Sequence, residues 1–120
     1  MSELQPSIRP RRLRATAAMR GLVRETAVRP HQLVLPLFVR EGLDAPLPIA
    51  SMPGIEQHSL DSVRAIAARA AAAGLGGIML FGVPEKRDAI GSGATDPQGI
   101  LNVAARAVVA EVGEALVVQT

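Results

Sequence analysis

The chain has 120 residues, 13 basic and 11 acidic, with no cysteine and two aromatic side chains. That is about one ordinary domain and too short for a complete α/β barrel, which needs roughly 250 residues. The missing cysteine excludes a disulfide framework, a thiolate nucleophile and a Cys-ligated metal within these residues. No apolar run approaches the ~20 residues of a membrane span, so no membrane partner is expected, and 48% apolar residues exclude a disordered tail.

The charge is unevenly spread. Residues 1–30 carry seven arginines (Arg9, Arg11, Arg12, Arg14, Arg20, Arg24, Arg29) against Glu3 and Glu25, a net of +5. Residues 31–120 carry six basic and nine acidic residues, a net of −3. The pI near 10.4 reflects how little titrates between neutrality and the arginines, with no Cys or Tyr and only Lys86, rather than a strongly basic body. The pattern divides the chain into a basic arm, 1–30, and a mildly acidic body, 31–120.

In chain order, the proline-bearing residues 1–10 are expected to be extended. Residues 11–27 carry good helix formers with an imperfect apolar stripe of Leu13, Ala17, Leu22 and Val23. After Pro30, the continuous apolar run 33–39 predicts a buried parallel strand, although Pro36 within it removes a ladder donor. Residues 40–58 read as a loop. Ser59 then caps a helix over 59–73 with Leu60, Val63, Ile66, Ala67 and Ala70 on one face, and Gly74 ends it in the left-handed conformation. Residues 76–82 predict a second strand, closed by Pro84, with a charged, glycine-rich loop over 85–95. Asp96 followed by Pro97 predicts a helix start, its apolar face Ile100, Leu101, Ala104, Ala107 and Val108, with Gly113 as its stop. Residues 116–120 begin a third strand. The order arm, strand, helix, strand, helix, strand is an α/β pattern with two right-handed crossovers, and both a doubly wound sheet and an α/β barrel begin this way.

Each residue that carries chemistry has a plain structural alternative. The cluster Arg9-Pro10-Arg11-Arg12-Leu13-Arg14 has the charge to bind phosphates, but no aromatic residue accompanies it for base stacking, so nucleic acid is not the expected partner. A subunit-contact arm and an organelle-targeting segment share that composition. His31 and His58 fall in connections without a second ligand at metal spacing. Lys86 is the only amine nucleophile available. Flanked by Glu85, Arg87 and Asp88, it is expected to be solvated and protonated, whereas a Schiff-base lysine needs a desolvated site or a cationic neighbour. Gly91-Ser92-Gly93 reads as a backbone anion nest or as a simple turn.

Taken in series, six segments resemble the porphobilinogen synthase (delta-aminolevulinic acid dehydratase) family. They are Arg9-Pro10-Arg11-Arg12-Leu13-Arg14, Leu22-Val23-Arg24-Glu25-Thr26, Leu35-Pro36-Leu37-Phe38-Val39, Ser51-Met52-Pro53-Gly54, Leu80-Phe81-Gly82-Val83-Pro84, and Lys86 with Gly91-Ser92. Each is weak alone; in family order and spacing over residues 9–120 they are specific. The resemblance implies the N-terminal βαβαβ part of a (β/α)₈ TIM barrel, preceded by an arm that wraps a neighbour in an octamer or hexamer. It implies condensation of two 5-aminolevulinate molecules to porphobilinogen in cytoplasmic tetrapyrrole and haem synthesis. Two lysines on later strands form Schiff bases, and zinc or magnesium serves as the metal.

None of those lysines or metal ligands is expected within residues 1–120, and the family's aspartate would follow Thr120. The chain therefore resembles the first third of the enzyme, and no catalytic, cofactor-binding or metal-binding residue is assigned in it. Phe81, at the end of the second strand, either lines the active-site mouth or packs in the core. The competing reading is a non-enzymatic α/β module that binds anions or a partner protein through its arginine arm.

Overall fold

A computed structural model describes residues 11–120; Arg9, Pro10 and the expected extended stretch 1–10 lie outside the described residues. The described part of the arm holds a 3₁₀ turn, Arg12–Arg14, and a short helix α1, Ala17–Leu22, capped by the Thr16 hydroxyl, which accepts from Met19 N at 3.1 Å. The helix expected over 11–27 is thus cut to six residues. Its apolar residues Leu13, Leu22 and Val23 stay exposed, so no tertiary packing offsets the cost of nucleating a helix this short. β-branched Val23, Thr26 and Val28 then favour extended chain.

Strand β1, Val34–Arg40, is preceded by a 3₁₀ turn over Pro30–Gln32. It lies parallel to β4, Gly77–Val83, in register from Val34 opposite Gly77 to Arg40 opposite Val83. Strand β5, Val117–Gln119, pairs parallel with the other edge of β4. Pro36 sits within β1 without breaking this ladder. Leu33 accepts from Gly76 and Gly77 amides, and Glu41 N donates to Val83 O at 3.0 Å, so the odd-numbered residues of β1 address β4. Backbone groups alternate sides along a strand, so the missing N–H of Pro36 falls on the opposite edge.

Residues 40–58 are not a plain loop. Two short strands, β2 (Leu47–Pro48) and β3 (Glu56–His58), pair antiparallel, and β3 adds in parallel to β1 at Phe38 and Val39. The reversal between them uses Gly54 at φ +82°, with Ile49 N donating to Ile55 O at 2.9 Å. The sheet order is β2-β3-β1-β4-β5. Strands of two and three residues, one of them Glu-Gln-His, carry no hydrophobic signal for a sequence reading to find.

Helix α2, Leu60–Ala72, starts at Ser59 as expected; its hydroxyl accepts from Ser62 N, and Gly74 follows at φ +75°. Helix α4, Ile100–Val112, starts three residues later than expected, with Gly99 at the cap. Asp96 instead turns its carboxylate back onto Gln98 N at 2.8 Å, while Gly99 N donates to Asp96 O. That local turn competes with helix. A four-residue helix α3, Ser92–Thr95, occupies part of the expected loop.

Both long helices lie on one face of the sheet. Leu37 and Val39 of β1, Ile78 and Leu80 of β4, Val63 and Ala67 of α2, and Ala104 and Val108 of α4 form the core. Gly82 lets α4 sit close: a Cβ there would stand 2.8 Å from Leu101 Cβ. Across the helix surface, Arg64 Nη2 meets Glu111 Oε2 at 2.9 Å. The opposite face of the sheet is open, with Val34, Phe81 and Val117 all more than 40% exposed. The β5 edge is unpaired among the described residues, whereas the upper part of the β1 edge is covered by β3.

Leaving several large side chains in water forfeits roughly 1.5–3 kcal/mol each, against a total domain stability of about 5–15 kcal/mol. The isolated 120-residue chain is therefore expected to be molten, oligomeric or insoluble. Calorimetry at several concentrations checks this; a sharp, concentration-independent transition from a monomer would show that the segment is a domain by itself.

Candidate functional site

The carboxyl ends of β1 and β4 gather the residues nearest to chemistry. On the open face, Phe38 and Phe81 occupy opposite positions of the β1–β4 register, their ring centroids 5.5 Å apart and tilted by 31°. Phe81 is exposed, so it does not pack in the helix-side core. Two residues further along the same face, Arg40 Nη1 donates to Gln57 Oε1 of β3 at 3.1 Å. The loops are laced together at this end: Glu41 Oε2 accepts from Glu85 N at 3.0 Å, and Gly42, at φ +73°, lies under the Glu85 carboxylate. A cleft of about 450 Å³ opens beside the starts of α2 and α4, lined by Arg40, Glu41, Asp44, Asp61 and Gln98 among others.

The residues with candidate chemistry in the sequence, none of them assigned to a site, are not brought together. His31 lies exposed in the 3₁₀ turn at the opposite, amino end of β1. Lys86 is exposed in the loop after β4, and it forms no ion pair among the described residues. Nothing around it desolvates an amine. The Gly91-Ser92-Gly93 turn does present amides, with Gly91 at φ +66°, but Asp88 already fills it. The Asp88 carboxylate accepts from Ser92 N at 2.9 Å and from the Ser92 hydroxyl, and these hydrogen bonds hold its pKa below the ordinary aspartate value. An internal carboxylate thus occupies the place a phosphate would take. Asn102 ties the same loop down, donating to the carbonyls of Ala94 and Asp96.

His58 is in a strand rather than a connection, and only 7% exposed. Its Nδ1 lies 3.3 Å from Ser62 Oγ, which in turn donates to Ser59 O. That network is satisfied with the proton on Nδ1 of a neutral ring. Among the described residues, no three His, Asp or Glu side chains cluster to hold a metal ion. Arg11, Arg12 and Arg14 are exposed on the arm, away from these loops. The Phe38–Phe81 pair and the Arg40–Gln57 contact went unread in the sequence. The aromatic pair has a signal there, because both phenylalanines stand near the ends of apolar runs destined to be neighbouring strands.

The sequence model of the delta-aminolevulinic acid dehydratase family matches residues 7–120. The chain belongs to that family. It is 57% identical over 114 residues to a delta-aminolevulinic acid dehydratase of Mycobacterium tuberculosis, covering 93% of this chain and 35% of the relative. A Streptomyces coelicolor relative of the same description is 56% identical over 117 residues, 96% of this chain and 36% of the relative. Among solved structures, the Toxoplasma gondii delta-aminolevulinic acid dehydratase in complex with porphobilinogen superposes with a TM-score of 0.78 at 31% identity. It covers 92% of this chain and 32% of that one. The chain thus spans about one third of its dehydratase relatives, and its fold is the opening part of a (β/α)₈ barrel. In barrels of this fold the active site lies at the carboxyl ends of the strands, the end at which Phe38, Phe81 and Arg40 stand.

Burial lowers the pKa of His58 below 6.5, and Glu56 only partly opposes it. The fold then prefers the neutral ring, so this contribution to stability is present above about pH 6.5 and is lost as the pH falls below it. In the full-length protein, His58→Gln is expected to flatten the decline of the thermal midpoint between pH 7 and 5. Parallel pH profiles for the two proteins would show that His58 does not titrate against the fold.

Proposed function

We propose that the full-length protein carrying this segment is a porphobilinogen synthase, a lyase that condenses two 5-aminolevulinate molecules to porphobilinogen with loss of two waters. The observation that carries the reading is the 57% identity to a dehydratase over 114 residues. The porphobilinogen held by the Toxoplasma gondii relative supports the same substrate class. The proposed setting is cytoplasmic tetrapyrrole synthesis, on the family resemblance alone. Among the described residues, no helix is long and apolar enough to cross a membrane.

The nucleophiles belong to the part of the protein beyond residues 1–120. A lysine that forms an imine with a ketone must reach it unprotonated, and a dry surrounding is one of the two ways, with a cationic neighbour, to lower its pKa. This segment contributes to that condition: Val34, Pro36, Phe38, Met79 and Phe81 form an apolar first section of barrel wall. Phe38 and Phe81 stand at its reactive end and exclude water from the substrate's carbon chain. Zinc or magnesium supplies positive charge to the family's reaction when bound. Among the described residues none fits such an ion: the chain has no cysteine, and no acidic or histidine cluster occurs among those residues.

The arm, 1–30, is proposed as the contact that builds a homo-oligomer, an octamer or a hexamer. Its net charge of +5 is opposite to the body's −3, and Leu13, Leu22 and Val28 find no cover on their own body.

Incubated with 5-aminolevulinate, the full-length protein is expected to form porphobilinogen, and borohydride to trap substrate on lysines outside residues 1–120. Lys86→Gln should leave turnover within about twofold, as for a surface substitution away from the reacting atoms. An adduct mapped to Lys86 would overturn the assignment.

Deleting residues 2–29 from the full-length protein is expected to lower the oligomer mass measured by light scattering while leaving the barrel's far-ultraviolet circular dichroism in place. An unchanged mass would remove the arm from the assembly.

A further inference from the structure

Strand β1 has two edges, and they are used differently. One is taken by β4 along the whole strand. Because Leu33 and Glu41 direct their backbone groups at β4, alternation sends those of Val34, Pro36, Phe38 and Arg40 to the other edge. In a closed barrel that second edge meets the last strand. Here its upper end is already occupied: β3 sets Gln57 opposite Phe38 and His58 opposite Val39, and the Gln57 side chain accepts from Arg40. Midway, Pro36 has no N–H to give. Of the four residues addressing this edge, Val34 alone keeps an amide for an incoming strand.

We infer that the β2–β3 hairpin is a strap across the closing seam of the barrel, standing in for the last strand at Phe38 and Arg40. The inference rests on the chain being the opening third of a closed barrel. The seam is then held in two pieces, by the last strand below Pro36 and by β3 above it, with the proline as the break between them. The upper piece is short and built from a polar strand, and the turn at 49–55 hinges it. It lies at the carboxyl end of β1, beside Phe38 and Phe81, so lifting the strap opens the mouth of the barrel without disturbing the β1–β4 ladder.

Hydrogen exchange at single-residue resolution on the full-length protein tests this. In the unmodified protein, Val34, Phe38 and Arg40 amides are expected to exchange slowly. Gln57→Pro, which breaks the strand geometry of β3, should speed Phe38 and Arg40 by about tenfold or more and leave Leu35, Leu37 and Val39 within about twofold. Gly54→Val strains the turn at φ +82° in open space and should accelerate the same two amides, even if Gln57→Pro proves too disruptive to fold. Slow exchange at Phe38 and Arg40 in the Gly54→Val protein, or in a folded Gln57→Pro protein, would mean that the last strand holds them, and the strap is refuted. Fast exchange at Val34 in the unmodified protein, with Phe38 still slow, would refute the closed seam itself and with it the barrel reading.

Discussion

Strands β1 and β4 lie side by side for seven residues each, and the rest of the chain is arranged around that ladder. Its register aligns Leu37 with Leu80 and Val39 with Gly82 on the face that α2 and α4 cover. The same register necessarily aligns Phe38 with Phe81 on the other face, because side chains alternate across a strand. Slipping the pairing by one residue would bury the open face and expose the core. The helices also depend on it: α4 reaches β4 only because Gly82 carries no side chain where Leu101 arrives.

That geometry leaves the two faces in unequal states. The helix side is a closed apolar core, whereas the far side is an apolar wall with nothing opposite it. A wall of this kind is informative about function because it is the interior of a structure that the remaining two thirds of the relatives' length completes. Under the proposed function, the segment supplies the shape of one side of a reaction chamber, and the groups that make and break bonds stand elsewhere.

The loops at the carboxyl end show how easily a motif is mistaken for a site. Gly91-Ser92-Gly93 has the backbone conformation of an anion nest, and Asp88 four residues earlier supplies the anion. Lys86 has the right functional group for imine chemistry and the wrong surroundings for it, exposed in a loop whose sequence also carries Glu85 and Asp88. Glu41 and Glu85, two carboxylates that would repel in isolation, are kept in adjoining loops because a Glu85 backbone amide donates to Glu41. At the glycine turn and at Glu41, local hydrogen bonding consumes the group that composition alone offers as reactive; at Lys86, exposure to water does.

The amino-acid sequence by itself determined the alternation of strands and helices, the cap at Ser59, the stops at Gly74 and Gly113, and family membership. Those features rest on local periodicity, on side chains that satisfy their own backbone, and on motif order. It misjudged the reach of the arm helix and the start of α4, because a helix end is decided by competing contacts: none available to Leu22, and an Asp96–Gln98 turn available before Gly99. The β2–β3 hairpin, the harmless position of Pro36, the burial of His58 and the meeting of Phe38 with Phe81 were decided only in three dimensions. Each depends on which edge or face of β1 a residue addresses, and that is set by pairing with strands up to 43 residues away along the chain.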